Sequence, residues 1–146
     1  RFGVTLGLSC HDDQRAIDAL IPLCQDVDQD TRQWAVFALG SQTDMDTPGL
    51  REALVTVLDD TDHEIRGEAL VGLARRQDPR AFQAILNEWN SAGISILSVE
   101  AAEALADPNF IPYLKELYGS LDLAEDRYFQ ESIMNAILAC ERSIGK

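Results

Sequence analysis

Residues 28–40 read DQDTRQWAVFALG and residues 62–74 read DHEIRGEALVGLA. Both run Asp, two residues, an apolar residue or Thr, Arg, two residues, Ala, two residues, a small residue, Leu, a small residue. Arg32, Ala35, Ala38, Leu39 and Gly40 thus return 34 residues later as Arg66, Ala69, Gly72, Leu73 and Ala74. Fainter copies follow at 32-residue steps, first as Ser98, Ala101, Ala104, Leu105 and Ala106, then as Gln130, Ile133, Ala136 and Ile137. The opening RFGVTLGLS fits the same ruler, with Arg1, Val4, Gly7 and Leu8 lying 31 residues before Arg32, Ala35, Ala38 and Leu39. Self-similarity at this period signals an array of small supersecondary units.

Between these runs lies a second set of helical patterns. Residues 13–25 carry Ile17, Leu20, Ile21 and Cys24, and residues 48–59 carry Leu50, Leu54, Val57 and Leu58. Residues 79–90 carry Phe82, Ile85, Leu86 and Trp89, and residues 108–120 carry Ile111, Leu114, Leu117 and Tyr118. Spacings of three and four give each segment one apolar face. Asp78-Pro79, Asp107-Pro108 and Thr47-Pro48 place a capping side chain before a proline at the first helical position, and Asp28 or Asp30 and Asp62 cap the motif helices. The expected fold is all-α, a stack of antiparallel helix pairs forming one domain over residues 1–146. A pair of such helices buries too little surface to stand alone, so each unit needs its neighbour. Small residues at 35, 38, 69, 72, 101 and 104 allow close helix approach, and Leu39, Leu73 and Leu105 fill the space between layers. Tyr128, Phe129, Ile133, Ile137 and Leu138 are expected to close one end. The chain opens within a second helix, so an incomplete first unit with Val4 and Leu8 uncovered is expected, as a section of a longer repeat protein.

The chain has 146 residues, with 12 Lys and Arg against 25 Asp and Glu, a formal charge of −13. That sign repels nucleic acid and acidic membranes. A hydrophobic content of 46 % is too high for a disordered acidic tail. No apolar stretch approaches the about 18 residues that span a bilayer. Cysteines at 10, 24 and 140 are odd in number and lack a CxxC pair, which favours a reducing cytoplasmic setting over a disulfide framework.

The motif segments at 28–40 and 62–74, with SVEAAEALAD at 98–107, resemble the HEAT-like repeat family, especially its short phycobilisome-lyase type. The resemblance implies a right-handed αα-superhelix with the second helices lining the concave side. It also implies scaffold or adaptor roles, bilin-lyase-like or chromophore-chaperone roles, and, more remotely, the helical-repeat DNA glycosylases. A repeat identifies architecture rather than chemistry.

Catalytic candidates are sparse, and neither a catalytic set nor a cofactor is expected. His11 with Asp12 and Asp13 reads as a solvated turn that caps the next helix rather than a metal site. His63 in HEIRG lacks the second histidine of a zinc-protease pattern. The cysteines read as small buried residues, with only Cys10 beside His11 offering a thiolate-promoting neighbour. No Gly-rich phosphate loop occurs, and Asp44 and Asp46 lack calcium-loop spacing. Arg75-Arg76 is the only paired basic run, surrounded by acidic residues, so a phosphate track is not expected. Arg32 and Arg66 read as structural, bridging to Asp28 or Asp62 four residues earlier or to a capping aspartate of the next unit.

A binding surface is the stronger reading. Gln33, Trp34 and Phe37 fall beside the face opposite Ala35, Ala38 and Leu39; Glu68 and Val71 occupy the corresponding places one unit on, and Glu100 and Glu103 extend an acidic rim. An aromatic anchor flanked by carboxylates suits a basic or mixed-polarity protein segment. Trp34 and Phe37 also have a packing role open to them, at a unit boundary and between helices.

Overall fold

The computed structural model describes Gly3, Gly7, and residues 13–121 and 126–145. Within residues 13–145 eight α-helices follow one another, and no strand occurs among the described residues. They are α1 (Gln14–Leu23), α2 (Gln29–Phe37), α3 (Pro48–Val57), α4 (His63–Arg75), α5 (Ala81–Ser91), α6 (Ile96–Leu105), α7 (Ile111–Ser120) and α8 (Arg127–Ser143). The first motif copy, with Val4, Leu8, Cys10, His11 and Asp12, lies outside the described residues. No helix among the described residues is long and apolar enough to cross a membrane.

The helices start where short polar side chains satisfy their orphan amides. Asp13 accepts from the Ala16 N–H, Asp28 from Thr31, Thr47 from Leu50, and Asp62 from Glu64 and Ile65. Ser95 and Ser98 form a reciprocal capping box at the start of α6. Asp78 departs from the expected cap, because α5 opens only at Ala81. Two arginines converge on its carboxylate instead: Arg80 donates from its backbone N–H at 2.9 Å and its guanidinium at 2.9 and 3.0 Å, and Arg51 donates at 3.3 Å.

Each pair sets a first helix (α1, α3, α5, α7) beside a second helix (α2, α4, α6, α8). The second helices pack on one another in series: α4 lies between α2 and α6, and α6 between α4 and α8. On the other side α3 and α5 stand apart, leaving clefts of about 470 and 390 Å³. The motif's small residues explain the tight side. A Cβ on Gly72 would stand 2.7 Å from the Gly40 Cα, and one on Gly67 would stand 2.7 Å from the Leu97 Cβ. Leu39 and Leu73 are fully buried as expected. Leu105 is only partly buried, because α6 ends there and Ala106 turns into the left-handed region at φ 54°. In the last copy Gln130, Ile133, Ala136 and Ile137 are all buried, whereas Tyr128 and Leu138 are exposed rather than closing the end.

The repeated arginines tie unit to unit. Arg32 donates to Asp60 at 2.9 Å and to the Asp26 and Val27 carbonyls. Arg66 grips both oxygens of Glu88 on α5 at 3.0–3.2 Å and the Asp60 carbonyl at 2.8 Å. The expected partners Asp28 and Asp62 are engaged at the helix starts, so the guanidinium groups reach across to the following unit.

The Asp78 cluster makes stability depend on acid. Chiefly through the Arg80 guanidinium, its carboxyl is held down at about 2. A depressed carboxyl contributes stability above its unfolded value and loses it as pH falls through the folded one. That window runs from about 4 down to about 2, and the contribution is about 2 kcal/mol. Asp78→Asn is therefore expected to cost about 2 kcal/mol at pH 7 in urea unfolding. The gap between variant and parent should close near pH 2; a gap unchanged at that pH contradicts the assignment.

Candidate functional site

The second helices present their outward side chains as a row crossing from unit to unit. On α2, Trp34 and Phe37 meet edge to face, with ring centroids 5.8 Å apart and planes at 83°. Together with Gln33 and Glu68 they line a cleft of about 250 Å³ between α2 and α4. Trp34 is 37 % exposed and Phe37 half-buried, so the indole is held against Phe37 and still meets solvent. Polar bonds border the cleft: Gln33 donates to Glu64 at 3.3 Å and Ser41 to Glu68 at 3.5 Å.

Ser41 reaches Glu68 because α2 does not stop at Gly40. The chain continues through a π-helical turn, Ala38–Gln42, with the Thr43 N–H bonding back to the Ala38 carbonyl at 3.2 Å. By composition residues 41–49, SQTDMDTPG, read as a turn between units, and the π turn takes in the first two of them.

The electrostatics of the cleft are one-sided. Burial pushes the Glu68 carboxyl above its ordinary value, the Ser41 hydrogen bond partly offsets this, and the carboxylates of Glu100 and Glu64 push it further up. Glu100 is raised in turn by burial and by Glu103. These groups therefore form a connected acidic strip across α4 and α6 in which charge is only partly compensated. Of the residues expected at this surface, Gln33, Trp34, Phe37 and Glu68 meet in one cleft and Glu100 and Glu103 continue it. Val71 does not line it, packing instead against the core shared with the following units.

The other polar features are engaged in holding the fold. Arg75 donates to the Gly40 carbonyl at 2.8 Å and to Asp44 at 3.0 Å. The Arg76 guanidinium binds the carbonyls of Leu39, Gly40, Thr43, Met45 and Gly72 at 2.8–3.0 Å. The paired basic run is thus a clamp on the end of the π turn. Asp46 is held by two bonds from Arg51 at 2.6 and 2.7 Å. His63 is exposed at the first position of α4. Burial raises the Cys24 and Cys140 thiols to about 12 and about 11, the opposite of a nucleophile's requirement. Among the described residues no group of three or more His, Cys, Asp or Glu side chains is placed to hold a metal.

The sequence model of the family described as HEAT repeats matches residues 17–106. Protein YibA of Escherichia coli strain K12 is 30 % identical over 122 residues, covering 84 % of this chain and 43 % of YibA. The same protein from E. coli O157:H7 matches equally. An X-ray structure of E. coli YibA superposes with a TM-score of 0.78 at 29 % identity, covering 94 % of this chain and 47 % of that one. The chain therefore spans less than half the length of the curated relatives it matches. Neither the family description nor these names carry the phycobilisome-lyase subtype.

Proposed function

The chain belongs to the HEAT-repeat family, and from that membership we propose that it is a non-catalytic scaffold or adaptor holding a protein segment on the face of its second helices. On this reading α2, α4, α6 and α8 form the concave side, because they pack on one another in series while α3 and α5 stand apart. The occupant is a segment carrying Lys or Arg beside an apolar residue. The observation that supports this is the meeting of Trp34 and Phe37 with the raised carboxyl of Glu68 in one cleft. An incoming ammonium or guanidinium relieves the mutual repulsion of Glu68, Glu64 and Glu100, and its alkyl stem covers the aromatic pair.

Screening a peptide array that varies in basic and apolar content tests this. Peptides pairing Lys or Arg with an apolar neighbour are expected to be selected. Trp34→Ala or Phe37→Ala is expected to weaken the best of them about 10–30-fold. Unchanged affinity in both variants sinks the anchor. Glu68→Gln is expected to weaken binding while leaving the fold at least as stable, because it removes a charge that burial and two neighbouring carboxylates disfavour. The cation needs the ionised carboxylate, so affinity falls as pH drops, starting at a higher pH than an unperturbed glutamate produces. A pH-independent affinity between 4 and 7, on the order of the range where carboxylates titrate, contradicts that role.

A further inference from the structure

The motif positions that carry Trp34 and Phe37 can be followed from unit to unit. One step on they hold Glu68 and Val71, and a further step on they hold Glu100 and Glu103. The second helices of those units stack on one another without rings at these places, so stacking does not require them. Among the motif copies the aromatic pair stands once, beside the carboxylates that its own counterparts supply.

The two rings form a corner rather than a stack. Planes at 83° with centroids 5.8 Å apart leave a position that faces both rings at once, and the negative ring faces attract a cation placed there. The cleft of about 250 Å³ that the rings share with Gln33 and Glu68 admits a compact head group. An unmodified ammonium brings three donors that need acceptors, and it holds its water tightly. The cleft is poor in acceptors: two of its walls are rings, Glu64 already accepts from Gln33, and Glu68 already accepts from Ser41. A fully methylated ammonium keeps the charge, spreads it over its methyl groups and has no donor to satisfy, so it suits ring faces and a carboxylate partly withdrawn from water.

Resting on the reading of this cleft as a seat for a basic protein segment, we propose that the Trp34 and Phe37 corner, with Glu68 beside it, holds the N-methylated ammonium of a lysine side chain in that segment. The methyl groups lie against the two ring faces, and the Glu68 carboxylate supplies the counter-charge. The lysine stem leads out past the exposed edge of Trp34 to the rest of the segment.

Titrations followed by NMR at the tryptophan indole N–H signals test the proposal. The probes are Nα-acetyl-Nε-trimethyllysine amide, its unmethylated lysine parent, and the neutral isostere with carbon in place of the charged nitrogen. Trp89, half-buried and donating to Ser98 at 2.9 Å, is the internal reference for an intact fold. The trimethylated probe is expected to shift Trp34 and to bind about 10-fold more tightly than either of the other two. Phe37→Leu keeps apolar bulk but removes the ring, and it is expected to weaken this probe about 5-fold, as is Glu68→Gln. Tetramethylammonium, which lacks the stem, is expected to bind more weakly than the trimethylated lysine, and equal affinity overturns the lysine source. A lysine parent that binds as tightly as its methylated form overturns the proposal while selection of basic peptides on the array still stands. An isostere that matches the trimethylated probe also overturns it, because apolar burial then suffices, and so does a trimethylated probe that leaves Trp34 unshifted. An array that selects no basic peptide fails the scaffold reading itself.

Discussion

Replacing Arg76 by methionine is expected to destabilise the fold by about 3–5 kcal/mol, the range of a broken buried hydrogen-bond network. Methionine keeps much of the apolar stem and removes every donor. The carbonyls of Leu39, Thr43, Met45 and Gly72 then lose the guanidinium, while Gly40 retains Arg75. The guanidinium pays for its position in desolvation, which holds its proton affinity below that of a free arginine, and backbone dipoles rather than a carboxylate bond compensate it. Arg76→Lys is expected to recover less than half of the loss, because a point charge with three donors cannot span carbonyls arranged for a planar fork. Equilibrium urea unfolding measures both; a loss under about 1 kcal/mol for the methionine variant shows that the clamp is not needed.

The second large effect is expected at Gly72. Alanine there places a methyl 2.7 Å from the Gly40 Cα and 2.8 Å from the Leu54 Cδ1. The leucine tip can turn aside, but the facing backbone cannot without parting α2 from α4. The expected cost is about 3 kcal/mol, the upper range for overpacking, despite alanine's better helix propensity. Gly40→Ala, whose Cβ meets the Glu68 carbonyl at 3.0 Å and the Gly72 Cα at 3.4 Å, is expected to cost about 1–2 kcal/mol. Gly119 on α7 has open space at its Cβ, so Gly119→Ala is expected to stabilise by up to about 1 kcal/mol. Thermal melts of the three variants read this order. Gly72→Ala melting at or above the parent temperature contradicts close packing of the two glycines.

The helix pairs are legible because each rests on short-range signals: a cap, an apolar spacing, and a motif recurring at nearly constant distance. Even the weakest copy, Gln130 to Ile137, lands in the core. Partners are much less legible. Arg32 and Arg66 share one motif position, yet one finds Asp60 and the other Glu88, acceptors 28 and 22 residues away on differently placed elements. Arg75 and Arg76 read as a basic pair and prove to be the ties that hold a π turn. The cleft was partly visible, since Gln33, Trp34 and Phe37 share a helix face and Glu68 follows one unit later. Val71, one motif step of 34 residues after Phe37, packs on the core instead, because spacing does not report which neighbours a side chain meets.

The amino-acid order alone established an acidic all-α repeat of antiparallel helix pairs, because caps and hydrophobic periodicity act over a few residues and leave a local imprint. The packed helices settled which polar groups are occupied. Arg32, Arg66, Arg75 and Arg76 reach into carbonyls and carboxylates of neighbouring units, and Glu68 stands among other carboxylates. On α8 the packed helices leave Gln130 buried with no acceptor for its side-chain amide. Burial and pairing depend on distances between units, and those distances follow from how closely glycine and alanine let two backbones approach.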